Sequence, residues 1–437
     1  MKEYLKHNFQ FIFLMISWIL VGKFLGPAIY VWVALSVVLM QAKGMHAELL
    51  ISFFFMLILS DSRQPGLHFA ESVKNMHILL LALFFVFDLR NYDSLNRTFV
   101  RFLPFFLIAL VCLFFSEDIF VSFQKTLSYF LVLLIVTNLS YKLINDAPEE
   151  FLSKLIYFGL ILLLYGFFLR FAYPMFVTLE NRYTGVLGNP NGLGVFTFLF
   201  FIIYSIVVNI YPGIFSRTER LLILTCVIIS IFLCGSRSAI FSVLLFILFS
   251  YFYRLSSFLG IIMFIAILLV YQYVSLNLAN IVTYLGMEEY FRIDTLEDGS
   301  GRLIAWNFAW ENIQSNMFIG KGFYYTEYLY KKYYEFLSTQ GHQGNAHNSY
   351  LTIWLDTGLI GLFLYLSAFI ITFVRAAKTT HLAIPVLYSI LFSANFESWL
   401  SGSLNPLTIQ VWIIITLLVF LKPVEENEEN GEIEAVT

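Results

Sequence analysis

From residue 9 onward the chain is a succession of apolar runs separated by short polar connectors. The runs lie at 9–22, 24–40, 47–60, 76–87, 103–115, 119–139, 151–173, 193–211, 221–234, 238–253, 258–276, 350–374, 382–400 and 407–421. A helix needs about 20 apolar residues to cross a bilayer, so this pattern predicts an all-α, polytopic integral membrane helix bundle of about 12–14 spans. Several runs fall short of about 17 residues and are equally compatible with half-spans or buried core helices. Lys2 and Lys6 ahead of the first run resemble the start of a signal peptide, but no small-residue cleavage site follows. The run is read as a retained first membrane helix.

One connector, 277–347, is long and patterned. Leu303, Trp306, Trp310 and Ile313 recur at helical spacing behind Ser300 and Gly301, and Gly320 and Gly322 close that amphipathic element. A second, polar-aromatic helix is expected over 324–337, with Lys331 and Lys332 among tyrosines. Tyrosine and tryptophan suit a headgroup-level anchor, and tyrosine faces also stack on sugars. The expected division is membrane helices over 1–276, a long extracytoplasmic loop over 277–347, C-terminal membrane helices over 348–422, and an acidic, disordered cytoplasmic tail over 423–437.

Composition agrees with a bilayer setting. The chain is 59% hydrophobic and 13% charged, against about 45–50% and about 25% in ordinary globular proteins. With 49 Phe, 26 Tyr and 7 Trp it is neither disordered nor collagenous, and 26 Lys and Arg against 29 Asp and Glu exclude a generally basic nucleic-acid binder. Without the six glutamates between Glu425 and Glu434 the formal charge moves from −3 to +3. Cys112, Cys226 and Cys234 sit inside apolar runs without paired spacing, so they read as small buried hydrophobes, and neither a metal site nor a disulfide framework is expected.

Charge also orients the bundle, because short cytoplasmic loops are enriched in Lys and Arg. With the N-terminus inside, the inner loops receive Lys43, Arg90, Arg97, Arg101, Lys142, Arg217, Arg220, Arg254, Arg375, Lys378 and Lys422. The short outer loops receive Lys23, Arg63, Lys74, Arg182 and Arg237. Both termini are then cytoplasmic, and the segments around Arg182, Arg237 and His347 share the outer face.

Those three segments are the candidates for chemistry. Residues 182–192 form a Gly- and Asn-rich loop ahead of a helix, a geometry that welcomes an anion. Gly235-Ser236-Arg237-Ser238 is a turn that places an arginine at a helix start, and Ala346-His347-Asn348-Ser349 places a histidine at the entry of another. Each has a plainer reading: Arg237 snorkels to the interface, Arg182 pairs with Glu180, and His347 belongs to a capping environment. Two arginines, an anion-friendly loop and a histidine on one face are together what phosphate chemistry requires. Second in rank are Asn189, Asn191, Arg302, Asn348, Asp61 and Arg63, the last two read first as a plain salt bridge and only then as fixing the arginines or binding sugar. Lys321, between two glycines, reads as water-facing. Asp356, Glu397 and Lys125 lie in or near apolar helices, where charge is expensive and usually paired, so they are expected to partner site cations or pack helices.

Arg-Tyr-Thr-Gly at 182–185, Gly-Asn-Pro-Asn-Gly-Leu-Gly at 188–194, Gly-Ser-Arg-Ser-Ala at 235–239, Gly-Arg-Leu-Ile-Ala-Trp at 301–306, His-Asn-Ser-Tyr-Leu at 347–351 and Asp-Thr-Gly-Leu-Ile-Gly at 356–361 occur in this order. The set resembles the O-antigen ligase and O-antigen polymerase superfamily of bacterial envelope proteins over about residues 61–397. One departure is Met317, where the family often has proline before the Gly-x-Gly element. The resemblance implies a multi-pass protein of the bacterial inner membrane. It also implies transfer of a glycan from undecaprenyl diphosphate to an acceptor hydroxyl of a glycan or lipid on the extracytoplasmic face, without metal, nucleotide sugar or other cofactor. Arg182 and Arg237 would hold the diphosphate and His347 would be the base. The physical cause is consistent: guanidinium forks stabilise charge gathering on a pyrophosphate leaving group, and histidine titrates nearest neutral pH. Attack from the opposite face would invert the anomeric carbon. Whether the protein is a ligase or a polymerase stays open. The competing class is a transporter or flippase using Asp356, Glu397 and Lys125 as a charge relay, but no repeated halves or paired broken helices are visible.

Overall fold

The computed structural model of the chain describes residues 2–88, 96–276, 283–284, 286, 302–342 and 344–421. Arg90, Ser300, Gly301, Lys422 and the acidic tail lie outside the described residues. The helices are α1 Lys2–His7, α2 Phe9–Phe24, α3 Ala28–Ala42, α4 His46–Asp61, α5 Phe69–Phe87, α6 Arg97–Cys112, α7 Ile119–Asp146, α8 Pro148–Ala172 and α9 Pro190–Ile210. They continue as α10 Arg217–Cys234, α11 Arg237–Leu255, α12 Ser257–Leu276, α13 Arg302–Ser315, α14 Tyr325–Lys332, α15 Tyr334–Thr339, α16 Ser349–Ala376, α17 Ala383–Ala394 and α18 Pro406–Phe420. Each apolar run of the sequence is thus a helix, and the protein is an all-α polytopic membrane protein. Among the described residues, 7 helices are long and apolar enough to cross a membrane. Phe9–Phe24, Ala28–Ala42, Ala383–Ala394 and Pro406–Phe420 are shorter apolar helices.

The interior and the perimeter are both apolar, as a bilayer solvent permits. Residues such as Phe13, Leu107, Phe168, Leu269 and Phe363 are each more than half exposed, a surface that water would penalise and lipid does not. In contrast α4 and α18 are buried on nearly every face. Around α18 pack α4, α7, α9 and α16, with Trp412 edge-on to Phe102 at 5.0 Å and Gln410 donating to the Phe196 carbonyl at 3.3 Å.

Three departures from the expected pattern shape the segments between the helices. The run 382–400 is helical only as far as Ala394, and residues 395–405 take irregular backbone before α18. Such backbone is tolerated in a membrane protein where neighbours satisfy it. The Tyr129 and Tyr365 hydroxyls lie 3.0 Å from each other and 3.0 and 3.2 Å from the Leu400 carbonyl, which accepts from one or the other as they share their two protons. Ser349 Oγ donates to the Glu397 carbonyl at 2.6 Å and accepts from Leu400 N–H at 3.2 Å, and Thr408 holds the Trp399 carbonyl at 2.9 Å.

The second departure is a break in α16 at Gly358, whose φ of 73° and ψ of 177° interrupt the helical hydrogen bonds. The segment 317–322 fills the break. Its Met317 carbonyl accepts from Leu359 N–H at 2.9 Å and from Trp354 Nε1 at 2.9 Å, while Gly322 N–H donates to the Asp356 carbonyl at 2.8 Å. Gly320 permits this approach: a side-chain carbon there would lie 2.4 Å from Asp356 backbone. Met317 therefore acts through its carbonyl.

In the third, α13 buries Ala305, Ala309 and Ile313, while Leu303 and Trp310 of the expected apolar stripe stay about half exposed. Small residues let α13 lie close on α16. Trp310 stands at the rim, edge-on to Trp354 at 5.5 Å. The expected 324–337 helix is two helices, α14 and α15, broken at Tyr333.

Candidate functional site

Arg182 is delivered by a two-residue hairpin. Strands β1 Thr178–Leu179 and β2 Arg182–Tyr183 pair antiparallel, and both turn residues, Glu180 at φ 50° and Asn181 at φ 60°, are left-handed, as a tight turn matching strand twist requires. Arg182 Nε donates to the Cys234 carbonyl at the end of α10 at 2.9 Å. Gly235, left-handed at φ 56°, caps α10, and half-buried Arg237 then opens α11. Arg182 is therefore seated on the same turn that carries Arg237. The N-terminus of α9 lies close to this turn, since a side-chain carbon at Gly194 would meet Ser236 at 2.7 Å.

Arg182 Nη2 also donates to Asn191 Oδ1 at 2.7 Å, and Asn191 Nδ2 donates in turn to Glu397 Oε1 at 2.8 Å. Glu397 is the hub. Its Oε1 accepts from Arg302 Nη2 at 2.8 Å, and its Oε2 lies 3.2 Å from His347 Nδ1. The Arg302 guanidinium further covers the Phe396 ring at 5.7 Å. One carboxylate thus joins the Arg182 loop, the first helix of the long connector and the histidine at the entry of α16.

His347 sits in a left-handed conformation, φ 44°, sparsely populated for anything but glycine, asparagine, aspartate and histidine. Its neighbours enforce it. Asn345 Oδ1 accepts from His347 N–H at 2.8 Å, and Asn348 caps α16 by accepting from Tyr350 and Leu351 N–H at 2.9 and 3.1 Å. Asn348 N–H donates to Ser398 Oγ at 2.9 Å, so the capping residue is fastened to the Glu397 segment. The capping function falls on Asn348, leaving the imidazole to Glu397.

The 185–192 loop is organised differently from its anion-binding expectation. Gly188 N–H donates to Asp61 Oδ2 at 3.0 Å, and Gly192 N–H donates to Asn189 Oδ1 at 2.6 Å. These two donors are used within the protein, so Asp61 and Asn189 hold the loop that presents Arg182 and Asn191. Gly188→Ala is expected to detach it, because the added carbon would sit 2.4 Å from the Asp61 carbonyl. Proteolysis focused on 178–192 would register that release, and a wild-type cleavage pattern would refute it. Arg63 is exposed and stands apart from the Glu397 network.

Beside the network lies a cavity of about 450 Å³ walled by α7, α14, α16 and the 398–403 and 344–345 segments. Lys125 on its wall pairs with Glu327, and Asp356 Oδ1 accepts from Thr326 N–H at 2.8 Å and its hydroxyl at 2.7 Å. Lys321 reaches Glu117 at 3.3 Å. The three charges weighed as a relay, Lys125, Asp356 and Glu397, therefore all bond residues of the 302–347 segment and fasten it to the bundle.

Sequence reasoning named Arg182, Asn191, Arg302, His347, Asn348 and Glu397, but gave Glu397 only a general role as a partner for cations. It missed Asn345, Asn395 and Ser398. The available signal was the polar series Asn395, Glu397, Ser398, Ser401, Gly402, Ser403 interrupting an apolar run. No curated protein matches this chain. Residues 221–366 match a family model described as O-Antigen ligase, a stretch that holds Arg237, Arg302 and His347. That match supports the resemblance that the motifs carry, to the O-antigen ligase and polymerase superfamily.

Proposed function

We propose that this protein transfers a glycan from undecaprenyl diphosphate to an acceptor hydroxyl on the extracytoplasmic face of the bacterial inner membrane, with both termini cytoplasmic. The observation that supports this most is the Glu397 bridge between His347 and the Arg182 loop. With Nδ1 donating to Glu397, His347 Nε2 keeps its lone pair and faces away from the carboxylate, the arrangement a general base needs. In the reaction the acceptor O–H proton passes to Nε2 and the acceptor oxygen bonds the anomeric carbon. The bond from that carbon to the diphosphate oxygen breaks, its electron pair leaving with the undecaprenyl diphosphate. Arg182 and Arg237 stabilise the departing charge. Because Cys234 and Asn191 fix the Arg182 guanidinium beforehand, no reorganisation is needed as charge develops. Glu397 orients the imidazole and stabilises its cation. Backside attack inverts the anomeric centre.

Arg237→Lys keeps the charge and loses the two-pronged geometry. Losing one charge-assisted hydrogen bond, about 1.5–3 kcal/mol, is expected to slow transfer by about 10- to 100-fold. Purified protein incubated with lipid-linked repeat units checks this and separates the two jobs. A ladder formed from repeat units alone marks a polymerase, and product only after a second acceptor is added marks a ligase. Undiminished transfer by the lysine variant would return Arg237 to a snorkelling role.

A further inference from the structure

We propose that the cavity beside the Glu397 network is the acceptor subsite and takes an uncharged sugar unit by its hydroxyls; the assignment rests on the transferase reading.

Position comes first. Gly344 lines the cavity, and a side-chain carbon added at Gly344 would stand 3.1 Å from His347 Nε2. The nitrogen that keeps its lone pair therefore adjoins the cavity wall, while Nδ1 faces Glu397 and, through Asn191, Arg182. The cavity lining includes neither His347 nor the two arginines. An acceptor held there lies one lining residue, Gly344, from the base.

Charge distinguishes the cavity from the arginines. The cavity lining carries Lys125 and Lys331 against Glu327 and Asp356, so its formal charges cancel. Lys125 is paired with Glu327, and Asp356 is held by Thr326. Nothing in that balance favours a phosphate over a neutral hydroxylated ligand, whereas Arg182 and Arg237 lie outside the lining.

The lining offers hydroxyls to a ligand. Ser401 is 7% exposed and lines the cavity, and among the described residues its hydroxyl makes no hydrogen bond. Ser403 adds a second hydroxyl, and the half-exposed Tyr334 ring stands at the mouth. A few polar groups set among aromatic walls, in a volume within the about 300–1,000 Å³ of small-molecule sites, match a ligand of sugar size.

The test uses the full-length protein in detergent and two lipid-free, phosphate-free diazirine oligosaccharides. One is the glycan of the lipid-linked repeat unit, and the other is the glycan of a separate membrane glycolipid. Labelling of 334 or 398–403 by either probe is expected, identifying the sugar source by which probe labels. Labelling should fall at least tenfold in Ser401→Leu, which fills the cavity, and in Tyr334→Ala. In the transfer assay both variants should raise the acceptor KM at least tenfold and leave the donor KM unchanged. Labelling elsewhere or by neither probe, a raised donor KM instead, or displacement of label by inorganic pyrophosphate would overturn the assignment with transfer by wild type intact. Cavity labelling in a protein that transfers to no hydroxyl would sink the transferase reading and leave the sugar site standing.

Discussion

Replacing His347 by asparagine is expected to reduce glycan transfer by ~10²–10⁴-fold, the usual contribution of a positioned general base. Asparagine is the informative substitution because position 347 is left-handed at φ 44°, a conformation asparagine accepts. Alanine should remove transfer as well, but adds backbone strain at the entry of α16. Glu397→Gln keeps the shape of the hub and deletes its charge, so it should lower kcat with little change in donor KM, since the orientation and cation stabilisation of the imidazole are lost after binding. Arg302, which shares Oε1 with Asn191, loses its ion pair in the same variant. A mild loss of stability should therefore accompany the loss of rate, visible as a lower Tm in detergent. Wild-type product yield from His347→Asn would remove the base assignment, and a Glu397→Gln effect confined to Tm would reduce Glu397 to a structural tie.

Gly358→Ala is expected to be the most damaging conservative change in the bundle. The φ of 73° and ψ of 177° belong to a region essentially reserved for glycine, worth about 1–3 kcal/mol of strain for another residue. A side-chain carbon would also lie 2.2 Å from the Phe318 carbonyl oxygen, so the segment 317–322 must move and release its bonds to Leu355, Asp356, Leu359 and Ile360. Thr326, and with it the cavity wall, hangs from the same stretch of α16 through Asp356. Thermal unfolding in detergent should show a clear drop in Tm, and limited proteolysis should cut 302–347 before the helices. Gly213→Ala, where nothing lies within 4 Å of the added carbon, is the control. Matching melting and cleavage patterns for the two variants would show that the break in α16 is not needed.

The apolar runs located the 7 helices that are long enough to cross a membrane among the described residues, because hydrophobicity is a local quantity that a bilayer reads segment by segment. Errors arose where a polar cluster was averaged into a run. Residues 395–400 were counted with α17, yet they leave the helix because Ser349, Tyr129, Tyr365 and Thr408 supply partners for their backbone. The stripe Leu303, Trp306, Trp310, Ile313 predicted helix α13 correctly and its buried face only in part. Close approach to α16 selected Ala305 and Ala309, which carry too little hydrophobic signal to mark a face.

Arg182, Arg237 and His347 were readable as candidates because each interrupts greasy sequence with a cationic or titratable group beside turn residues. The 185–192 loop was readable as a tight turn but not in its purpose. Whether its N–H groups face a ligand or the protein depends on Asp61, far away in the chain, accepting from Gly188.

By itself, then, the sequence determined the class of solvent this protein folds in, the placement of its helices and the residue types its chemistry can draw on, since all three follow from composition and short-range pattern. Only the tertiary structure decided that Glu397 gathers Asn191, Arg302 and His347 from 206, 95 and 50 residues away, and that a cavity opens beside them. The reason is that a buried carboxylate must find its partners wherever helix packing places them, and packing is a property of surfaces meeting across the fold.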